Sequence, residues 1–299
     1  MAEAGAVARR DPVTVTPALL REWPLPTTAG DKEAKGRLLV VGGSDRTPGA
    51  VRLAAEAALR VGAGKVQIAT SNATAALLAV VVPEALVVGL PTEHGELTAA
   101  GAGQLLDLAE GADAVLVGPG LGSPEVGCRL LEAVVPRLGT RLVVDALGTG
   151  FVTCHPEGLA RLGPDALLTA NSTELAELLG RDVGQVEADV HDASIAAARM
   201  AGVTVLAGAA LSSVAQPSGD AWALPMGAPG AAVAGSGDVK AGAVAGLLAR
   251  GADPAQAAVW GAYLHARSGE RLAASVGRVG YLARDIAREL PAALGEVES

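Results

Sequence analysis

Aromatic side chains are nearly missing from this chain: 299 residues carry one Phe, two Tyr and three Trp. Half of the residues are apolar, so the core has to be built from Ala, Val and Leu, whose small volumes let helices and sheets approach closely. Cysteine is as scarce. Cys128 and Cys154 cannot make a disulfide framework, which fits a reducing compartment. No basic cluster interrupts a net charge of −9, and this argues against a nucleic-acid partner. No uninterrupted apolar stretch reaches membrane-spanning length, and Met1 to Arg10 lacks the apolar core of a signal peptide. A soluble, cytoplasmic protein without membrane contact is expected. The four histidines (His94, His155, His191 and His265) show no metal-ligand spacing with one another or with cysteine, so no zinc site is expected. His265 sits in an apolar helical stretch and is read as a hydrogen-bonded core residue. Without a G-x-S-x-G elbow, serine hydrolysis also lacks support.

What the chain does have is alternation. Short β-branched runs at 37–41, 66–69, 85–88, 114–117, 141–144 and 166–169 alternate with Ala/Leu stretches of helical character at 49–61, 72–80, 97–108, 124–137 and 172–179. The runs are too continuous in apolar residues for one-sided strands, which predicts a mostly parallel sheet covered by helices on both faces. Beyond 203 the runs 203–206, 212–216 and 221–224 shorten. The last two flank the turn Pro217-Ser218-Gly219-Asp220, which predicts a short antiparallel ribbon at the sheet edge. Helices are expected over 236–250, 254–275 and 279–290. Residues 1–30, rich in proline and without period, read as an extended N-terminal arm and cap, and 31–299 as one α/β domain. The Ala-rich helices over 236–275 offer flat apolar faces, which either pair copies into a homo-oligomer or pack as core.

The strongest local signal is Gly235-Ser236-Gly237-Asp238 at the head of a long apolar helix. Small residues there let backbone N–H groups reach an oxyanion, and the helix dipole favours negative charge at the same place. Asp238 in the first turn is placed to take a proton from a hydroxyl beside an incoming phosphoryl group; an ordinary first-turn carboxylate is the simpler alternative. Gly42-Gly43-Ser44 and Gly118-Pro119-Gly120-Leu121-Gly122 follow strands and can face the same crevice. Neither fits a dinucleotide or Walker fingerprint. Asn171 and Glu174, three apart at a strand end, read either as a capping box or as a ligand contact with a hydrated Mg²⁺ near Glu174.

Taken together, GRLLVVGGS at 36–44, TPGAVRLAAEAALRVGAGKVQIAT at 47–70, PEALV at 83–87, LVGPGLG at 116–122, LTANSTELAELLG at 168–180, AGSGDVKAGAVAGLLARG at 234–251 and YLHARSGERLA at 263–273 resemble the ribokinase-like ADP/ATP-dependent NAD(P)H-hydrate dehydratases over nearly the whole chain. The resemblance implies a three-layer ribokinase-like fold and a repair reaction. The ring hydroxyl of hydrated NADH or NADPH is phosphorylated by ADP or ATP with Mg²⁺, phosphate leaves, and the double bond returns. It implies that Asp238 activates the hydroxyl and that Gly235, Ser236 and Gly237 form the anion hole. Ala50, Gly118, Gly120, Gly122 and Asn171 would hold the hydrated dinucleotide. Ala207, Gly208, Ala209, Ala210 and Leu211, with Gly237, would hold the adenine nucleotide. The chain departs from the family pattern at Ala207, where a lysine is usual, at Asn171, where a histidine is usual, and after Asp145, where a second aspartate is missing. An epimerase domain, fused to some relatives, has no room in 299 residues. A small-alcohol kinase of the same fold, or a nucleotide-binding protein without turnover, are the alternatives.

Overall fold

Strands with hardly a polar side chain need helices on both faces, and the computed structural model, which describes residues 11–27, 35–208, 211–225 and 227–298, provides them. The strands are β1 (Val13–Thr14), β2 (Arg37–Val41), β3 (Lys65–Ser71), β4 (Ala85–Leu90), β5 (Thr92–Glu93), β6 (Glu96–Leu97), β7 (Ala114–Val117), β8 (Arg141–Val144), β9 (Ala166–Ala170), β10 (Thr204–Gly208), β11 (Ser212–Ala215) and β12 (Ala221–Leu224). The helices are α1 (Pro17–Glu22), α2 (Pro48–Arg60), α3 (Asn72–Val81), α4 (Ala102–Glu110), α5 (Pro124–Val134), α6 (Gly150–Cys154), α7 (Ser172–Leu179), α8 (Val183–Ala188), α9 (Val190–Ala201), α10 (Ser236–Ala249), α11 (Pro254–Ser275) and α12 (Ala283–Glu298).

Ten strands form one sheet in the order β1-β12-β11-β10-β9-β8-β7-β2-β3-β4, and β5 and β6 pair apart from it as a small hairpin. Only β11 runs antiparallel to its neighbours within the large sheet. Alternation along each strand builds two cores. Leu38 and Val40 of β2 join an apolar cluster with α2, α10, α11 and α12, whereas Leu39 and Val41 join a second with α4, α5, α7 and α9. The result is the three-layer arrangement that the apolar runs predicted.

Register brings the strand ends into line. Val41 pairs with Val117, Val117 with Val144, Val144 with Leu168, and Ala170 with Ala207. Gly42, Gly118, Asp145, Asn171 and Gly208 therefore share one rim at the carboxyl ends of adjacent parallel strands, where α/β sheets collect ligands.

Several expectations need correction. The antiparallel ribbon β11–β12 is not the outermost element, because β1 from the N-terminal segment pairs in parallel with β12. That segment is not a periodless arm. It carries a strand and a helix, Trp23 stacks on Trp222 at 5.5 Å between ring centroids, and the Trp23 carbonyl accepts from the Trp260 indole at 2.9 Å. The helix expected from 97 starts at Ala102, since Leu97 belongs to β6 and Gly101 lies against Pro91 and Leu90. The helix expected from 279 starts at Ala283. Gly280 takes φ +102° before it, and the Asp285 carboxylate accepts from the Leu282 amide at 2.8 Å. The Ala-rich helices are core rather than free faces, as Ala241 to Ala249 of α10 are all buried.

The core permits an unusually close contact of α10 with α2. A Cβ on Gly242 would stand 2.6 Å from the Ala54 Cα and overlap its carbonyl oxygen. Gly242→Ala is therefore expected to lose about 1–3 kcal/mol of stability by overpacking, read as a lower urea midpoint. An unchanged midpoint would mean that this helix pair is not packed as described.

Candidate functional site at the strand ends

The first turn of α10 meets the ends of β8 and β9 at a cavity of about 230 Å³. It is lined by Asp145, Ala146, Thr169, Ala170, Asn171, Glu174, Gly235, Gly237, Asp238 and Lys240. Larger depressions, of about 600 and 590 Å³, lie by Asp113, Arg137 and Thr140, at the amino ends of β7 and β8. Position favours the smaller one, because it sits on the rim where the parallel strands end.

The chain turns into α10 through Gly235, whose φ of +85° only glycine adopts freely, and a Cβ there would press on the Leu53 side chain at 2.5 Å. Nothing lies within 4 Å of where a Gly237 Cβ would sit, so this backbone stands open. The Ser236 amide is spent on the Val233 carbonyl at 3.0 Å, leaving the Gly237 and Asp238 amides at the head of the helix. The Ser236 hydroxyl is turned inward onto His265 Nε2 at 2.8 Å. Burial, together with the nearby Lys240 charge, drops the His265 pKa to about 3, so this ring is a neutral core partner, as expected.

Four ionisable groups face the cavity. Burial pushes Asp238 up to about 6. Asp145 is pushed up to about 7, mainly by burial and further by the carboxylates of Glu174 and Asp238, while a Thr169 hydroxyl bond and Lys240 oppose the rise. Glu174 is raised, again mainly by burial. Lys240 is lowered by burial, with Asp145 and Glu174 pulling the other way, and its ammonium donates to the Gly208 carbonyl at 3.0 Å. Ala146, next to Asp145, holds φ +47°, a left-handed conformation costly for a residue with a Cβ. Neither Asp145 nor Lys240 was singled out from the sequence as a site residue. The signal was present in the position of Asp145 directly after a strand and in a lysine inside an otherwise apolar helix.

The remaining expected residues fall into groups. Asn171 and Glu174 form a complete capping box: Asn171 Oδ1 accepts from the Thr173 and Glu174 amides at 2.9 and 3.0 Å, and Glu174 returns a carboxylate to the Asn171 amide at 3.0 Å. Both also line the cavity. Ala50 packs against Gly120, where a Cβ would come within 2.8 Å of its own, and Thr47 donates to the Gly120 carbonyl at 2.7 Å. Gly118 is pressed on the Asp145 carbonyl and Gly122 on the Glu96 carboxylate. These glycines belong to the adjoining loops and do not line the cavity. Ala207 is fully buried inside the sheet, which rules out a side-chain contact, whereas Leu211 is exposed. Ala209 and Ala210 lie outside the described residues.

Comparison with known proteins points one way. A model of the NAD(P)H-hydrate dehydratase family matches residues 38–292. The ADP-dependent (S)-NAD(P)H-hydrate dehydratase of Xanthomonas campestris is 44% identical over 94% of this chain and 96% of its own length. The bifunctional NAD(P)H-hydrate repair enzyme Nnr of Moorella thermoacetica is 34% identical over 93% of this chain, which spans 52% of that protein. The solved structure of the ADP/ATP-dependent NAD(P)H-hydrate dehydratase from Bacillus subtilis, co-crystallised with ATP and Mg²⁺, superposes with a TM-score of 0.81 at 24% identity, over 96% of this chain and 99% of that one.

Asp145 gives a stability test. Its folded pKa lies above its ordinary 3.8, so folding takes up a proton between the two values. The stability this contributes is full below the lower value and lost as pH rises through about 7. Asp145→Asn keeps the Thr169 partner without the charge, so it should gain on the wild type between about pH 5 and about pH 8. Urea midpoints at both ends check this, and parallel pH dependences in the two proteins would contradict it.

Proposed function

The chain belongs to the NAD(P)H-hydrate dehydratase family, and from that premise we propose that it repairs hydrated NADH and NADPH by dehydration at the expense of ADP or ATP. The observation that carries this reading is the meeting of a half-buried Asp238 with the open head of α10 in a strand-end cavity.

The acceptor is the hydroxyl on the hydrated nicotinamide ring. Its oxygen attacks the terminal phosphorus of the nucleotide, its proton passes to Asp238, and the bond from that phosphorus to the remaining nucleotide breaks. Phosphate then departs from the ring with loss of a ring proton, and the double bond is restored. Phosphoryl transfer of this kind demands alignment and charge compensation more than covalent help. The Gly237 and Asp238 amides and the dipole of α10 offer that compensation to the migrating group. An Asp238 carboxyl near 6 is ionised at neutral pH and still basic enough to accept a proton.

Lys240 supplies the cation that β10 lacks at Ala207. Its ammonium reaches the Gly208 carbonyl from α10, which places positive charge at the segment expected to hold the nucleotide. Asp145, Glu174 and Asp238 all line the cavity, and a hydrated Mg²⁺ near Glu174 would add positive charge to it. Bound there, Mg²⁺ would offset the charge of the nucleotide phosphates.

Hydrated NADH supplied with ADP or ATP should regain the absorbance of reduced nicotinamide. A phosphorylated hydrate that accumulates intact would identify a kinase instead, and nucleotide binding without turnover would identify a binding protein. Asp238→Asn should slow the recovery by about a hundredfold or more while binding ADP nearly as well as wild type; full activity would remove Asp238 from the chemistry. Lys240→Met should raise KM for the nucleotide by about tenfold or more, the value of one charge-assisted bond, with KM for the hydrate little changed. Equal effects on both would assign Lys240 to the general support of the cavity.

A further inference from the structure

Away from the strand-end cavity, two helices bring together the side chains that linear spacing kept apart. Cys128 and Glu132 lie four residues apart on α5, and therefore on one face of it. Cys154 and His155 end α6 and its C-cap. Across the gap His155 Nε2 meets Glu132 Oε1 at 2.6 Å, and Cys128 Sγ lies 3.7 Å from the same oxygen. One ligand atom from each of Cys128, Glu132 and His155 falls within 4.8 Å of the others. The Cys154 thiol is near enough to act on that of Cys128, and both cysteines are free.

We propose that Cys128, Glu132 and His155 form a zinc site, with Cys154 or water as fourth ligand. A tetrahedral ion with a sulfur ligand at about 2.3 Å and an oxygen ligand at about 2.0 Å separates the two by roughly 3.5 Å. The observed 3.7 Å between sulfur and carboxylate is close to that edge. The shorter imidazole–carboxylate distance opens by less than an ångström if the exposed Glu132 turns. Thiol, imidazole and carboxylate are the ligand types of this borderline-soft metal, and they disfavour Mg²⁺, which takes oxygen alone.

The surroundings agree. The Phe151 ring packs at 5.3 Å from His155 and fixes the imidazole, and the group borders an open depression of about 320 Å³ lined by Val135, Pro136 and Arg161. Arg161 is engaged by the carbonyls of Val135 and Leu138. Besides His155, the exposed Arg129 acts on Glu132. Without a metal, the buried Cys128 thiol is pushed up to about 12, first by desolvation and then by Cys154 and Glu132. Metal binding would take this proton and join α6 to α5 a few residues after Asp145 and the strained Ala146.

The test is zinc uptake by the full-length chain, without an affinity tag, in reducing buffer after removal of metal by chelator. One equivalent of Zn²⁺ per chain should survive gel filtration and raise the melting temperature, and Co²⁺ should give a thiolate-to-metal absorption band. Cys128→Ser should weaken that band, and Cys128→Ser/Cys154→Ser should abolish it. Glu132→Gln and His155→Gln, both at exposed positions that do not threaten the fold, should each weaken Zn²⁺ by at least about tenfold. Zinc uptake by the wild type no greater than by a Cys128→Ser/His155→Gln double variant would overturn the site. So would formation of a Cys128–Cys154 disulfide in place of metal uptake under the same reducing conditions. None of these readouts depends on the dehydratase reaction, so the two assignments fail separately.

Discussion

Burying like charges at the end of a parallel sheet is the constraint on which the rest of this molecule turns. Asp145, Glu174 and Asp238 meet at one cavity with only Lys240 to balance them. Each carboxyl is raised by loss of water, and the lysine is lowered for the same reason. Such a cluster weakens the resting fold, and perturbed carboxyls of this kind gather at functional sites. The fold meets this cost elsewhere. Two apolar clusters close on either side of the sheet, and glycines let α10 lie directly on α2.

The shortage of aromatics and the placement of Asp238 are linked through that packing. A helix carrying a catalytic group has to be held to fractions of an ångström. In α10 the precision comes from Gly242 and Gly246, whose missing side chains admit the backbone of α2. Its head is fixed by Gly235 in a left-handed turn and by the Ser236–His265 bond. A core of larger side chains would have held the helices further apart.

Much of this was legible in the sequence, and the parts that were not share a cause. Apolar runs such as 37–41 and 114–117 announced buried parallel strands because both faces of the sheet are covered. Gly235 to Asp238 announced the head of α10 because small residues before an acidic one at a helix start have few other uses. Asn171 and Glu174 announced a cap, and the cap is there. Misplaced helix starts at 97 and 279 came from local breaks, the β5–β6 hairpin and the Asp285 cap, which periodicity does not register. The N-terminal strand β1 escaped notice because two residues carry no period. Lys240, Asp145 and the Cys128–Glu132–His155 cluster escaped for a deeper reason. Their meaning lies in what the fold places across from them: beside β10, which carries Ala207, Lys240 of α10 donates to the Gly208 carbonyl.

The family shows what reaction to look for, and its pH dependence tests the role proposed for Asp238. If Asp238 is the group that takes the ring hydroxyl's proton, kcat/KM for the hydrate must follow the ionisation of that carboxyl in the free enzyme. The most direct measurement is the pH profile of kcat/KM from about pH 5 to about pH 8. The account predicts a single acidic limb with its midpoint near the carboxyl's value of about 6. A profile flat across the range, as a carboxyl of ordinary pKa would give, would show that proton transfer to a half-buried Asp238 does not govern the reaction.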